Sequence, residues 1–142
     1  VVTFFIDTAV LMYAAGAEHP LRAPCRRIVD AVGTGAIDAV ISTEVIQEIV
    51  HRYAAIGRRA DGAELATRAL DLFAPALPIT HALMRRVPDL ALRYPSLAAR
   101  DVIHVATCLH EGIATIVSSD RAFDPVTELR RIDPREFTLP AD

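Results

Sequence analysis

VVTFFID, residues 1–7, is the stretch on which the reading of this chain turns. From Val1 to Ile6 the residues are apolar or β-branched without alternation, and the run stops at a carboxylate, Asp7. A short continuous run rich in Val and Phe is the pattern of a buried strand. Strands buried on both faces belong to parallel sheets covered by helices. A second such run, Ile113 to Val117, ends in Ser118-Ser119-Asp120, again with an acid just past its carboxyl end.

Between the two runs the period becomes helical. Residues 11–15 read as a short helix, and residues 20–32 place Leu21, Cys25, Ile28 and Val29 at helical spacing before Gly33 and Gly35. Residues 39–41 predict a brief strand. Ser42 or Thr43 then caps a helix whose apolar positions Val45, Ile46, Ile49, Val50 and Tyr53 keep helical period up to Gly57. Arg58 to Gly62 reads as a polar turn, followed by an amphipathic helix through Leu65, Leu70 and Phe73. Pro75 and Pro78 flank an extended piece, Thr80 caps a helix through Leu83, Met84 and Val87, and Pro88 and Pro95 break up the next stretch. Arg100 to His110 is a helix stopped by Gly112, and Leu129 to Ile132 is expected as a last strand before a Pro-containing tail. Strands alternating with helices predict one three-layer α/β/α domain over residues 1–142, built on a parallel sheet.

Composition narrows the function. A chain of 142 residues that is 52% hydrophobic buries a real core and is not disordered. No apolar run reaches the length of a membrane span and no basic-then-apolar leader opens the chain, so a cytoplasmic protein is expected. The two cysteines, Cys25 and Cys108, make no disulfide framework and read as small buried hydrophobes. All 15 basic side chains are arginine; lysine is absent, as is asparagine, a bias that a GC-rich genome accounts for. Without lysine there is no P-loop and no Schiff-base nucleophile. A net charge of -3 makes no case for nucleic acid on its own.

The acids carry the chemistry. Ligands of such folds gather beyond the carboxyl ends of the strands, where Asp7 and Asp120 fall on one sheet edge. Either alone is as well explained as a helix cap or turn former. Glu48 interrupts the border of an apolar helix face, and its ordinary role is an i,i+4 pair with Arg52, worth about 0.3–0.5 kcal/mol when exposed. Asp101 opens a helix apolar nearly all round (Val102, Ile103, Val105, Ala106, Leu109), where a first-turn acid normally faces the helix dipole but a partly buried one needs a partner. Two unit charges ~4 Å apart repel by roughly 4 kcal/mol at an effective dielectric near 20. A cluster of Asp7, Glu48, Asp101 and Asp120 therefore calls for protons or a cation, and hard oxygen ligands without a thiolate or histidine set suit Mg²⁺ or Mn²⁺ rather than zinc. Such a site acts on phosphodiesters by activating water.

At these residues the chain resembles a PIN domain and, within that superfamily, a VapC-type toxin. The matching segments are FFIDTAVLMY at 4–13, ISTEVIQEIVHRY at 41–53, ARDVIHVATCLHEG at 99–112 and TIVSSDRAFD at 115–124. The resemblance implies a roughly five-stranded parallel sheet, an acidic metal site, endonucleolytic cleavage of RNA, a homodimer and silencing by a cognate antitoxin. It assigns Asp7, Glu48, Asp101 and Asp120 as the four acids and Ser118 as the hydroxyl residue that orients water or a carboxylate; Asp124, after Phe123, is at most an accessory acid and is not counted among the site residues. Ala9 departs from the family, which often places Ser or Asn two positions after the first acid.

Other residues are read as structural. His104 and Cys108, four apart on one helix, lack a second matched pair for zinc and are taken as helix packing. His51 and His110 are taken as solvated. Glu44 lies further round the polar side than Glu48. The Arg26-Arg27, Arg58-Arg59, Arg85-Arg86 and Arg130-Arg131 pairs are surface, although some must hold phosphates if RNA is the substrate. A receiver-like phosphotransfer module would need a lysine that is absent. The alternatives that remain are a non-catalytic RNA- or protein-binding module with a degenerate site and a PIN nuclease of RNA maturation.

Overall fold

The computed structural model describes residues 2–139; Val1 of the expected first strand and residues 140–142 of the expected tail lie outside them. The strands are β1 (Thr3–Ile6), β2 (Asp38–Val40), β3 (Thr115–Val117) and β4 (Arg130–Ile132). They form one parallel sheet in the order β2-β1-β3-β4. Phe5, Ile6, Ile116 and Val117 are all fully buried. Neighbours along a strand point to opposite faces, so both faces of the centre are covered, as the unalternating runs demand.

The described sheet has four strands, where roughly five are implied by the resemblance. What stands beside β2 is a single parallel bridge between Ser42 and Leu77. The Leu77 N–H donates to the Ile41 carbonyl at 2.9 Å, and the Thr43 N–H to the Leu77 carbonyl at 2.9 Å. Pro75 and Pro78 flank that rung and have no N–H to extend it.

The helices are α1 (Thr8–Ala15), α2 (Arg22–Gly33), α3 (Thr43–Ala55), α4 (Arg59–Leu72), α5 (His81–Met84), α6 (Val87–Arg93) and α7 (Ala99–Glu111). Two expectations need correction. The predicted turn at Arg58–Gly62 is mostly the first turn of α4, with an Arg58 Nε–Asp61 bond of 2.9 Å across it. Val87 belongs not to the helix of Leu83 but to α6, whose Pro88 sits in the first turn, where its missing N–H costs nothing. Gly112, at φ 68°, stops α7 as predicted.

Gly62 is inside α4 because α3 comes too close for anything larger. A Cβ there would lie 2.6 Å from the Tyr53 Cβ and 3.2 Å from its Cγ. Alanine gains roughly 1 kcal/mol over glycine in an exposed helix, but overpacking costs about 1–3 kcal/mol. Gly62→Ala is therefore expected to lower the midpoint of urea unfolding, and a raised midpoint would show that the two helices separate freely.

From β1 the chain moves to β2 on one side and returns, through α3 to α7, to β3 on the other. The crevice at such a switch point opens beyond the carboxyl ends of β1 and β3. Asp7 and Ser118 come directly after those ends.

Candidate metal centre

Asp7 is pinned at the mouth of the crevice. Its N–H donates to the Val117 carbonyl at 3.0 Å, which joins it to β3. Its side chain caps α1, Oδ1 accepting from the Thr8 N–H at 2.9 Å. The Ser118 hydroxyl donates to Asp7 Oδ2 at 2.6 Å and accepts from the Asp120 N–H at 3.0 Å. Ser118 is fully buried, so one hydroxyl ties the loop after β3 to the acid after β1.

Glu48 enters from α3 and is buried. Its Oε1 accepts from the Thr8 hydroxyl at 2.8 Å and is 3.1 Å from His104 Nε2. Facing a carboxylate oxygen, that ring nitrogen must carry the proton to make a bond. His104, 0% exposed, also lies 3.8 Å from Asp7 Oδ1. Ligand atoms of Asp7, Glu48 and His104 all fall within 4.8 Å of one another. His104 is thus part of the acidic cluster, not the ordinary helix packing expected of it, and Cys108 is not its partner there. Burial pushes both thiols up, Cys25 to about 12, in keeping with inert buried cysteines.

The electrostatics are set by burial and by these few bonds. Burial raises the pKa of Asp7, against the pull of His104 and the Ser118 hydrogen bond. Burial also pushes Glu48 up, but hydrogen bonds from His104 and Thr8 outweigh it and hold the carboxyl below its usual range. For His104, burial opposes protonation, yet the Glu48 bond and the Asp7 charge outweigh it and the pKa is raised.

Asp101, half-buried in the first turn of α7, is pushed up to about 6, first by burial and then by the charges of Asp7, Asp120 and Glu48 against His104. Asp101 therefore feels each of the other three acids named from the sequence, and Asp7 feels Glu48, while the ligand atoms that lie together are those of Asp7, Glu48 and His104. Asp120 is the most exposed of them, capping a 3-10 turn at Arg121–Phe123 through an Oδ1–Ala122 N–H bond of 2.9 Å. Asp124 is engaged elsewhere: Arg131 grips it through Nε at 2.7 Å and Nη2 at 3.3 Å while donating Nη1 to the Ser118 carbonyl at 3.1 Å.

Glu44, one turn before Glu48, is only partly buried, and its carboxyl, raised by burial, also feels His104, Glu48 and Arg100. The expected Glu48–Arg52 pair does form, at 3.7 Å. Thr8 and His104 are the residues sequence reasoning missed. Thr8 supplies, one position after the first acid, a hydroxyl of the sort that Ala9 lacks. The available signal for His104 was its place three residues after Asp101, a spacing that puts both on one face of the helix.

Asp101, raised to about 6 first by burial and then by the acids around it, adds a further carboxyl beside the Asp7, Glu48 and His104 ligand atoms. With one histidine and otherwise oxygen donors, the cluster fits a hard divalent cation. No helix among the described residues is long and apolar enough to cross a membrane.

The PIN domain family matches residues 4–129. Ribonuclease VapC13 of Mycobacterium tuberculosis is 34% identical over 127 residues, covering 89% of this chain and 97% of that protein. In fold, the chain is similar to a chain in the crystal structure of VapBC2 from Rickettsia felis bound to a DNA fragment from their promoter, with a TM-score of 0.72 at 12% identity, over 92% of this chain and 98% of that one. A toxin-antitoxin complex from Klebsiella pneumoniae gives a TM-score of 0.66 at 16% identity, over 96% of this chain and 100% of its match. A family match over nearly the whole chain, a relative of this identity, and the acids at the mouth of the β1–β3 crevice agree: the chain belongs to the PIN-domain family, among its VapC ribonucleases.

Proposed function

We propose that this protein is a Mg²⁺- or Mn²⁺-dependent endoribonuclease and the toxin of a toxin–antitoxin pair. The observation that carries the reading is the buried Asp7–Ser118 and Glu48–His104 cluster beyond the carboxyl ends of the central strands, with Asp101 and Asp120 beside it. Asp7, Glu48, Asp101 and Asp120 would hold the cation, and oxygen donors favour Mg²⁺ or Mn²⁺. When bound, the ion supplies charge stabilisation at the scissile phosphate and eases attack by water.

The chain's own groups do the positioning. Ser118 fixes one oxygen of Asp7 and Thr8 fixes the other. Thr8 and His104 together fix Oε1 of Glu48, leaving Oε2 as the oxygen not so held. Attack by water on the phosphorus leaves 5′-phosphate and 3′-hydroxyl ends.

VapBC2 and the Klebsiella complex support a cognate antitoxin as partner. A groove of about 630 Å³ between α1, α2 and α4, lined by Leu11, Val29, Leu65 and Leu72, suits an amphipathic segment of such a protein. A homodimer and a cytoplasmic setting complete the proposal.

The test is direct. Purified protein is expected to cut cellular RNA when Mg²⁺ or Mn²⁺ is present and to stop on addition of EDTA, with sequencing of the new 5′ ends giving the sites. Intact RNA under both conditions would overturn the reading.

A further inference from the structure

Resting on the ribonuclease reading, we propose that the cavity between the distal halves of α1 and α3 binds a nucleobase of the RNA next to the scissile phosphate, and so sets where the enzyme cuts. The cavity has a volume of about 290 Å³, near the lower end for small-ligand sites, and is lined among others by Ala9, Tyr13, His19, Arg52, Tyr53 and Arg58.

Its place is set by two helices that run past the acidic cluster, α1 starting beside it and α3 passing it at mid-length. On α1, Asp7 is the cap and Ala9 and Tyr13, four residues apart, share one face. On α3, Arg52 comes one turn after Glu48, with Tyr53 and Ile56 beyond it. A rise of 1.5 Å per residue puts Tyr13 about 9 Å along the axis from Asp7, the reach from a phosphate to a base of an adjoining nucleotide. Arg52 belongs to both places: it lines the cavity and stands 3.7 Å from Glu48 Oε2. Ala9 matters here in a second way, since its methyl takes little of the space between the acids and the cavity.

The lining has the chemistry of a base site. Tyr13 and His19 stack, with ring centroids 4.6 Å apart and planes 29° from parallel. The Leu21 N–H donates to His19 Nδ1 at 3.0 Å, which fixes that ring and leaves its proton on Nε2 when neutral. Arg58 lies over the Tyr53 ring at 5.5 Å. Stacking surfaces flanked by arginine are how single-stranded RNA is held. The rim carries Arg52 and Arg58 against Glu18, and each guanidinium already faces an acid, Arg52 at 3.7 Å from Glu48 and Arg58 at 2.9 Å from Asp61. These are the cations that a polyanion would meet beside the acidic centre. The groove at α1, α2 and α4, which also carries Arg26, Asp30 and Arg68, is lined by no aromatic ring on which a base could stack, and this separates the two surfaces.

The experiment uses the full chain and a short oligoribonucleotide carrying a cleavage site mapped by 5′-end sequencing, together with versions abasic at each position flanking the cut. One abasic position is expected to lower wild-type kcat/KM on the order of tenfold, the scale of one base–aromatic stack. Tyr13→Ala is expected to lose a similar factor on the intact RNA and almost nothing further on that abasic RNA, with Tyr13→Phe restoring most of the loss. His19→Ala, an exposed position outside the helices, gives the same pattern should Tyr13→Ala fold poorly. The proposal is overturned if the abasic and Tyr13 or His19 effects multiply, or if these variants cut the intact RNA as wild type does and lose only binding of a partner protein. Both of those results leave the ribonuclease standing; a wild-type chain that cuts no RNA removes both.

Discussion

Asp7→Asn is expected to end RNA cutting while leaving the protein folded. Asparagine caps a helix as well as aspartate does, so Oδ1 can keep its bond from the Thr8 N–H. What disappears is a buried charge whose own burial disfavours it, and metal-free stability should not fall. Activity behaves differently, because the amide is a poor ligand for a hard cation and its NH₂ meets the Ser118 hydroxyl with the wrong polarity. Even groups that merely support a metal ligand are worth roughly 10–100-fold, and removal of the ligand itself should exceed that. Gel assays of RNA cleavage beside circular dichroism separate the two effects. Cleavage within a fewfold of wild type would remove Asp7 from the centre.

His104→Leu should produce the largest change in stability. The ring is the one cationic group in contact with both Asp7 and Glu48 among the described residues, and leucine fills a similar space without it. Removing one partner of a buried charged pair costs about 3–5 kcal/mol, a fall in Tm on the order of 10 °C for a domain of this size. The pH dependence fixes the cause. The pKa of His104 is raised above its ordinary value of 6.5, so its extra stabilisation is whole at and just below pH 6.5 and is lost as pH climbs through the higher folded value. In EDTA, the gap between wild type and variant should be widest near pH 6 and should narrow toward pH 9. A gap constant across that window would mean that the ring acts through its neutral Nε2–H bond to Glu48 and not through charge.

Much of the fold is legible in the sequence. The runs ending at Ile6 and Val117 are strands because nothing else explains unbroken apolar residues so short and so abruptly closed by acids. The differences cluster where a residue has more than one use. Glycine ends many helices, yet Gly62 lies within one, chosen for the approach of Tyr53; spacing along one segment carries no information about a neighbour in another. Pro88 reads as an interruption, although the first turn of a helix tolerates it. The short rung at Leu77 shows how prolines reduce a strand to one residue.

The acids can be named from the sequence because strand ends and interrupted apolar faces are visible in one dimension. His104 cannot, since a histidine among Val102, Val105 and Ala106 looks the same whether it packs or bonds. Its partner Glu48 is 56 residues away in the chain, and only the fold closes that distance. Asp124 presents the reverse case: next to the site in sequence, it is engaged by an arginine arriving from β4.

The tie between Ser118 and Asp7 spans 111 residues, and β1 finds its second neighbour only when β3 is present. Because a chain is made from its amino end, Asp7 is synthesised 111 residues before the hydroxyl that orients it. Until β3 follows, β1 lacks one parallel neighbour and Asp7 lacks both its Val117 and its Ser118 partner. A chain cut before β3 is therefore expected to leave the acidic cluster unassembled.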